Sequence, residues 1–340
     1  MADRLKAVLV GCGSVSRSWL EALKGNEEVE MLGLVDLNED AASKLKQEFS
    51  LAAATGLDLS QMLDNVKPHV VFDCTVPEAH VNVTLTALDH GCHVLGEKPL
   101  ADSMENARKM VAAARQARKI YAVIQNRRYQ PQIRAYRDFV ASGTIGKLTT
   151  LNSDFYIGAH FGGFRDRMKH VLLLDMAIHT FDAARFISRA DPVAVYCKEW
   201  NPAGSWYDHG ASAAAVFEMT EGIIYTYRGS WCAEGLNTSW ESDWRAVCRK
   251  GSASWDGSDA LRAQEVVETG SFFSKWQDRK VDIPETTKHG GHRGVIEEFL
   301  GCVRTGDTPQ TVCTDNIKSL AMVFAAIESA QTGKRVEIRA

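Results

Sequence analysis

Short apolar runs alternate with segments of helical periodicity through the first third of the chain. The apolar runs predict strands at residues 5–10, 31–35, 70–74, 93–96 and 121–125. The periodic segments predict helices at residues 15–23, 39–49, 79–90 and 103–118. Because strands that alternate with helices form parallel sheets with crossover connections, this pattern predicts a doubly wound α/β domain over residues 1–126.

The pattern changes after residue 126. A connecting helix is predicted at residues 132–142, and extended segments then dominate, at 148–156, 193–198, 211–218, 223–232 and 240–248. Glu221-Gly222 and Lys250-Gly251 are typical of hairpin turns between such segments. Further helices are predicted at 172–187, 295–305 and 314–331, before a last strand at 336–338. We expect residues 127–340 to form an α+β domain with a large, mostly antiparallel open sheet.

Composition narrows the class of protein. A chain of 340 residues exceeds one typical domain, and a hydrophobic content of 45% is enough for sizeable cores. The 39 basic and 43 acidic residues nearly cancel and form no basic stripe, so nucleic acid and anionic membranes are not expected as partners. No apolar stretch approaches the roughly 20 residues that span a bilayer, and the N-terminus does not resemble a signal peptide. The eight cysteines are scattered singly, which is typical of buried thiols in a cytoplasmic protein.

A glycine-rich turn follows the first predicted strand. Gly11 and Gly13 begin a G-x-G-x-x-S sequence, in which Ser16 stands where the full dinucleotide fingerprint has a third glycine. The two glycines permit a tight turn and a close approach to a pyrophosphate, whose charge the helix N-terminus meets. Asp36 ends the second predicted strand, where its carboxylate can accept hydrogen bonds from ribose hydroxyls and would repel a 2′-phosphate. The next two residues add no cation, so we predict NAD rather than NADP.

Lys98 lies just beyond the predicted strand 93–96, in the segment Glu97-Lys98-Pro99. Pro99 prevents the strand from continuing, and ligands of open α/β sheets bind beyond the carboxyl ends of the strands. A cation there can contact both a cofactor and a substrate. Lys98 is therefore a candidate catalytic residue, and an ordinary exposed lysine is the alternative.

Asp175 and His179 are four residues apart in the predicted helix 172–187, so they share one helical face. A carboxylate beside an imidazole suits a general base, because histidine titrates near neutral pH. A polar pair that satisfies itself at the core edge is the alternative, and Asp182, off this face, is expected to be structural. A metal site that adds His289 and His292 has permissible spacing. Residues 288–294 are more typical of a mobile loop than of a rigid ligand set, so we expect no metal.

Together these motifs resemble those of the glucose-fructose oxidoreductase/inositol dehydrogenase (Gfo/Idh/MocA) family. The resemblance covers essentially the whole chain, and its specific part is Glu97-Lys98-Pro99 combined with the later Asp175 and His179. The resemblance implies a nicotinamide-dependent oxidoreductase that acts on a sugar, a cyclitol or a derivative. It also implies a homodimer or homotetramer joined through the open sheet of the second domain.

The motifs and the resemblance also imply the site residues. Catalytic roles fall to Lys98, Asp175 and His179. The implied NAD-binding residues are Gly11, Gly13, Ser14, Val15, Asp36, Cys74, Thr75, Pro77, His80, Glu97, Lys98 and Asn126. Positions that vary in the family set the substrate, and the candidates here are Arg128, Tyr156, His160, Arg165, Lys169, His170, Trp231 and His292. Residues 161–170 are rich in Gly and Arg and could meet an acidic group on the substrate, although solvated loop charges are commoner.

The expected reaction is hydride transfer between a secondary alcohol carbon of a polyol and NAD. Lys98 would donate a hydrogen bond to the reacting oxygen. His179 would take or return the hydroxyl proton while Asp175 orients the substrate or the imidazole. An NAD-dependent glycosidase or lyase that oxidises its sugar transiently is an alternative. Net NADH production would distinguish the dehydrogenase from this alternative. A non-catalytic NAD- or sugar-binding protein is a further alternative, and the three catalytic candidates argue against it.

Overall fold

The computed structural model describes residues 3–270, 272–283 and 289–340. The chain folds into two compact units. Unit 1 comprises Met1–Asn126 and Lys288–Leu320, and unit 2 comprises Arg127–Thr287 and Ala321–Ala340. The sequence pattern also predicts a change of domain after residue 126, but it assigns residues 288–320 to the second domain, whereas these residues group with the first unit.

Both units combine strands and helices, which we number in chain order. The strands are β1 (Leu5–Val10), β2 (Val29–Val35), β3 (Ala54–Gly56), β4 (Val70–Asp73), β5 (His93–Gly96), β6 (Tyr121–Val123), β7 (Leu148–Tyr156), β8 (Pro192–Trp200), β9 (Ser212–Met219), β10 (Ile224–Ser230), β11 (Asp243–Cys248), β12 (Gly251–Trp255), β13 (Leu261–Glu268), β14 (Lys275–Arg279) and β15 (Val336–Glu337). The α-helices are α1 (Ser14–Leu23), α2 (Glu39–Glu48), α3 (Leu59–Val66), α4 (Pro77–Asp89), α5 (Met104–Ala117), α6 (Pro131–Ala141), α7 (Phe164–Arg167), α8 (Ile178–Ser188), α9 (Gly291–Thr305) and α10 (Cys313–Thr332). A π-helix, Leu172–Ala177, directly precedes α8, and 3₁₀ turns occupy Asn126–Tyr129 and Thr220–Gly222.

Unit 1 contains a six-stranded parallel sheet in the order β3-β2-β1-β4-β5-β6. Its central strands β1, β4 and β5 are nearly continuous apolar runs, because helices cover both faces of such a sheet. The strand order reverses between β1 and β4. In open α/β sheets this switch point, at the carboxyl ends of the strands, is where ligands bind.

Unit 2 contains a nine-stranded sheet in the order β14-β13-β12-β11-β7-β10-β9-β8-β15. Strands β7 and β10 are parallel, and the other neighbours in this order are antiparallel. One face carries the core, where Phe181 of α8 contacts the rings of Phe217 and Tyr227 at centroid distances of 4.8 and 5.2 Å. The predicted parallel sheet followed by a mostly antiparallel one is thus confirmed.

Several predicted elements differ in their bounds or type from the structure, and two of these differences concern unit 2. The predicted single helix 172–187 is a π-helix that continues into α8, and the predicted strand 240–248 begins only at Asp243. The hairpins predicted at Glu221-Gly222 and Lys250-Gly251 are present, as the connections β9–β10 and β11–β12. Within the described ranges, no helix combines the length and apolar character needed to cross a membrane.

Candidate cofactor and catalytic residues

The glycine turn after β1 is packed tightly against the end of β4. Gly11 has a φ of +89°, and a Cβ atom there would lie 2.7 Å from the carbonyl carbon and oxygen of Cys74. Only glycine satisfies both the backbone angle and this close approach. A Cβ atom on Gly13 would instead meet no atom within 4 Å. The turn is therefore fixed on its Gly11 side and open on its Gly13 side.

Helix α1 begins directly after this turn, with Ser14 and Val15 in its first positions. Its N-cap residue is Gly13, and no side chain caps the helix. The backbone N–H groups of a first helical turn have no intrahelical partner, so they can receive an anion. This open, glycine-lined N-terminus fits the pyrophosphate of a dinucleotide.

Asp36 follows β2 and holds the glycine turn in place. Its Oδ2 accepts a hydrogen bond from the Cys12 N–H at 2.7 Å, and its Oδ1 accepts one from the Asn38 N–H at 2.8 Å. The following Leu37 side chain is 96% exposed. The carboxylate thus lies beside the turn with no basic residue in the four positions after it, as the sequence predicts for an NAD site.

Four of the predicted cofactor residues follow β4: Cys74 and Thr75 lie in the β4–α4 connection, and Pro77 and His80 lie in the first turn of α4. The buried Asp73 carboxylate precedes them, and its Oδ1 accepts hydrogen bonds from the Thr75 N–H at 3.0 Å and the Thr75 hydroxyl at 2.5 Å. Burial raises the pKa of Asp73, while the nearby His80 acts in the opposite direction. Burial also holds the pKa of the Cys74 thiol well above its usual range, so this thiol stays protonated and unreactive. Pro77 is the first residue of α4.

His80 faces the protein backbone with both ring nitrogens. Its Nδ1 lies 3.0 Å from the Pro99 carbonyl oxygen, and its Nε2 lies 3.1 Å from the Thr75 carbonyl oxygen. The residue is only 1% exposed. Both polar atoms of the ring are therefore engaged within unit 1, although the family resemblance assigns His80 to the cofactor.

Glu97 and Lys98 follow β5 at the same edge of the sheet. The buried Glu97 carboxylate accepts a hydrogen bond from Trp19 Nε1 at 2.7 Å and another from the Lys98 N–H at 3.0 Å. Lys98 itself is half-buried, and its peptide bond to Pro99 is cis. Trp19 is a residue that the sequence motifs do not predict for this site. The signal available was that it is the one tryptophan of residues 1–126.

Asn126 and His292 lie together in unit 1. The Asn126 Nδ2 is 3.2 Å from the His292 Nδ1, and the His292 ring meets the edge of Trp19 at a centroid distance of 6.5 Å. Burial lowers the pKa of His292, and the charge of Glu97 acts against that shift. The structure thus places this predicted substrate residue among residues predicted for the cofactor.

Asp175 lies in the π-helix, and His179 lies one residue into α8. Both are half-buried, whereas the residues between them are buried. Within unit 2 the Arg165 guanidinium contacts the Asp175 carboxylate, from Nε to Oδ2 at 2.8 Å and from Nη2 to Oδ1 at 3.4 Å. The same guanidinium lies 4.9 and 4.8 Å from the ring centroids of Phe161 and Phe164. The Arg165 guanidinium thus lies beside two aromatic rings and contacts Asp175. Asp175 is part of a π-helix, and π-helical turns occur frequently at functional sites.

Arg128 forms a buried ion pair with Asp182. Its Nε and Nη2 each donate a hydrogen bond of 2.6 Å to the two carboxylate oxygens, and the side chains are 7% and 2% exposed. A buried, bidentate pair leaves the guanidinium committed to a carboxylate of its own unit. We therefore leave Arg128 out of the proposed substrate residues, whereas Asp182 has the structural contact that the sequence predicts.

The remaining predicted substrate residues of unit 2 differ in exposure. His160 is exposed, stacks on Trp206 at a centroid distance of 3.7 Å and contacts Glu234 at 2.9 Å. His170 Nδ1 lies 2.5 Å from Glu199 Oε2. Trp231 is 1% exposed and packs against Phe155 and Phe161. Tyr156 is half-buried at the end of β7, and Lys169 is exposed.

The histidines considered for a metal site have other contacts. His289 Nδ1 lies 3.0 Å from Glu297 Oε2, and His292 contacts Asn126. Among the residues that the structure describes, no group of three or more His, Cys, Asp or Glu side chains could hold a metal ion.

Comparison with known proteins identifies the family. Residues 5–125 match the profile of an oxidoreductase family with an NAD-binding Rossmann fold, GFO_IDH_MocA, and residues 133–254 match the GFO/IDH/MocA C-terminal domain. The chain belongs to the Gfo/Idh/MocA oxidoreductase family. The predicted family, oxidoreductase class and NAD cofactor are therefore confirmed.

Individual relatives of this family member are distant but cover its whole length. It is 25% identical to a D-apiose dehydrogenase of Paraburkholderia graminis, over 99% of this chain and 90% of the relative. It is 21% identical to an inositol 2-dehydrogenase of Rhizobium meliloti, over 97% of this chain and 98% of the relative. Its fold matches that of an Agrobacterium radiobacter oxidoreductase solved in complex with NAD⁺, L-tartaric acid and magnesium, with a TM-score of 0.84, 21% identity and 98% coverage of both chains.

Proposed function

We propose that this Gfo/Idh/MocA protein is an NAD-dependent dehydrogenase that acts on a secondary alcohol of a sugar, a cyclitol or a related derivative. The observation that carries the proposal is the carboxyl edge of the six-stranded sheet. There the open glycine turn, Asp36 and Lys98 follow β1, β2 and β5 respectively. The relatives that act on apiose and inositol support a polyol substrate.

The cofactor would be held by the turn from Gly11 to Gly13, the start of α1 and the Asp36 carboxylate. Further proposed contacts come from the β4–α4 connection, Glu97 and Asn126. Bound NAD supplies the hydride acceptor at its nicotinamide ring. The chain's own residues must bind and orient the alcohol and move its hydroxyl proton.

Lys98 would donate a hydrogen bond to the reacting oxygen and stabilise the negative charge that develops on it. His179 would accept the hydroxyl proton during oxidation and return it during reduction. Asp175, held by Arg165, would orient the substrate or the His179 ring. The other proposed substrate residues are Tyr156, His160, Lys169, His170, Trp231 and His292.

A panel of polyols and sugars tests the reaction, with NADH formation and glycoside cleavage followed in parallel. On the best substrate, Lys98→Met should lower kcat by roughly two orders of magnitude or more while NAD still binds, because the cation that stabilises the oxygen is lost. His179→Ala should lower the oxidation rate by about 10² to 10⁴ and remove the dependence on a group that titrates near neutral pH.

Two variants outside the site serve as controls. Lys109→Met removes a lysine of α5 that pairs with Glu105 of the same helix, and His90→Ala removes a histidine at the end of α4. Both should keep wild-type turnover. If Lys98→Met or His179→Ala also kept it, the role proposed for that residue would be wrong. Glycoside cleavage without net NADH formation would contradict the proposed dehydrogenase and would indicate an NAD-dependent glycosidase or lyase that oxidises its sugar transiently.

We also propose that the protein is a cytoplasmic homodimer or homotetramer joined through the open sheet of unit 2. The exposed positions of β8 and β9 include Tyr196, Trp200 and Val216, which are 51%, 43% and 43% exposed. Adjacent large apolar side chains on one face are typical of an interface. All eight cysteines, each in a described range, are free thiols, as expected in a reducing compartment. Light scattering at micromolar concentration would give the mass of a dimer or tetramer, and a strict monomer would contradict this proposal.

A further inference from the structure

Both ring nitrogens of His80 face backbone carbonyl oxygens. A backbone carbonyl oxygen can only accept a hydrogen bond, and a neutral imidazole has one donor and one acceptor nitrogen. With Pro99 O at 3.0 Å and Thr75 O at 3.1 Å, a neutral ring would direct a lone pair at one of the two oxygens. The doubly protonated ring satisfies both contacts, and water does not compete because the residue is 1% exposed.

The carboxyl group of Asp73 acts electrostatically on His80. Asp73 is fully buried, and its Oδ1 accepts two hydrogen bonds from Thr75. Burial raises the pKa of Asp73, and the interaction with His80 is the largest effect that lowers it. A buried cation is tolerated when its donors are satisfied, and both ring nitrogens of His80 face a carbonyl oxygen.

The backbone on either side of Lys98 is held by two different side chains. On its amino side, the Lys98 N–H donates to Glu97 Oε2 at 3.0 Å, and the other Glu97 oxygen is bonded to Trp19. On its carboxyl side, the carbonyl of Pro99 meets His80. The position of the Lys98 backbone is therefore set from both flanks.

The second contact of His80 reaches the glycine turn. Thr75, whose carbonyl meets His80 Nε2, is the residue whose backbone nitrogen would lie 2.8 Å from a Cβ atom on Gly11. One imidazole thus connects the turn that carries Lys98 with the segment packed on the cofactor loop.

From these contacts we propose that His80 is a positioning residue, which donates hydrogen bonds from both ring nitrogens and so holds the Lys98–Pro99 turn against the Cys74–Thr75 segment. The inference rests on the proposed role of Lys98, and it gives His80 a function other than direct contact with NAD. His93 is the matched control. It lies at the opposite end of β5, and its Nδ1 accepts a hydrogen bond from the Ile120 N–H at 3.0 Å.

Nitrogen-15 NMR of the histidine side chains tests the double donation directly. In wild-type protein, both ring nitrogens of His80 should carry a proton, and the signals should be identified by their loss in His80→Gln. His93, whose Nδ1 is an acceptor, should show one N–H. A single N–H on His80 at neutral pH would overturn the proposal. Because this measurement needs no substrate, a protein inactive on every alcohol would refute the proposed function without affecting the test.

Kinetics test the positioning role. His80→Phe keeps a ring but removes both donors, and kcat should fall about 10- to 100-fold, since small displacements of a catalytic group cost rates of that order. His80→Gln keeps one donor and should lie between wild type and His80→Phe, while His93→Gln should retain wild-type kcat. In a Lys98→Met background, His80→Phe should lower kcat by less than about a further threefold, because the effects of substitutions at residues that act through one another are not additive. Full multiplication of the two effects, or wild-type kcat in His80→Phe, would show that His80 does not act through Lys98.

Discussion

The two glycines of the cofactor turn should respond in opposite ways to the same substitution. Gly11 has a left-handed backbone, and a Cβ atom there would overlap the Cys74 carbonyl. Gly13 has an extended backbone with φ −76° and ψ −163°, which any residue adopts, and free space in front of it. Gly11→Ala should therefore lower the stability of the folded protein, whereas Gly13→Ala should lower the affinity for NAD without lowering the stability.

The magnitudes follow from these geometries. For Gly11→Ala the backbone conformation alone costs about 1–2 kcal/mol, and the overlap adds to it because backbone atoms must move. At about 2–4 °C per kcal/mol, unit 1 should melt at least roughly 2–8 °C lower. For Gly13→Ala, the loss of a favourable N-cap and the reduced entropy of the unfolded chain are each below about 1 kcal/mol and oppose each other. The Gly13→Ala protein should melt close to wild type.

Cofactor affinity completes the comparison. A methyl group in the space before Gly13 would overpack the pyrophosphate, which costs about 1–3 kcal/mol, or roughly 5- to 150-fold in Kd for NAD. Thermal unfolding of the cofactor-free proteins and calorimetric titration with NAD measure the two quantities. Wild-type NAD affinity in Gly13→Ala would refute the placement of the cofactor at this turn. Wild-type stability in Gly11→Ala would refute its close packing on Cys74.

Two further predictions concern the cofactor and pH. Asp36→Ser combined with Leu37→Arg should shift preference towards NADP, because repulsion is removed and a cation is supplied; wild-type protein that binds NADP more tightly than NAD by calorimetry would contradict the basis of this change. Burial lowers the pKa of His93 from its ordinary 6.5 to about 4, with smaller contributions from Lys119 and His69. The unfolded chain therefore binds more protons between these values, so the stability that His93 contributes is present above pH 6.5 and is lost as pH falls towards 4. Denaturant unfolding at pH 7 and pH 5 should show that the free energy of unfolding decreases less in His93→Gln than in wild type. An equal decrease in both proteins would show that His93 does not contribute to the loss of stability in acid.

The elements with a local pattern could be predicted from the sequence. Helix α5 and strand β5 have clear periodicity or apolar runs, and the carboxyl ends of parallel strands necessarily share one edge. The edge strand β3, with the sequence Ala-Thr-Gly, has no apolar run and is not predicted. The π-helix is predicted as ordinary helix, because an i→i+5 hydrogen-bond pattern leaves no distinct mark in a short apolar segment.

The partners of the site residues could not be predicted, because they are distant in sequence. The bond between Trp19 and Glu97 joins residues 78 positions apart, and the Arg128–Asp182 pair joins residues 54 apart. An arginine after a domain change looks the same in sequence whether it faces a ligand or a buried carboxylate. Glu97 and His80 are assigned to the cofactor by resemblance, and only the folded structure places their polar atoms on Trp19, Lys98, Thr75 and Pro99.

The discontinuity of unit 1 has a consequence for synthesis on the ribosome. The Val123 N–H bonds to the Thr311 carbonyl at 3.0 Å, and Ala122 bridges Val312, so the outer edge of β6 is completed by the last tenth of the chain. At about 5–20 residues per second, translation of residues 127–287 takes roughly 10–30 s. Throughout that interval a nascent Rossmann sheet would present β6 as an open edge, which is a template for pairing with other chains. Ribosome-associated chaperones would meet this protein with its N-terminal sheet formed but unfinished.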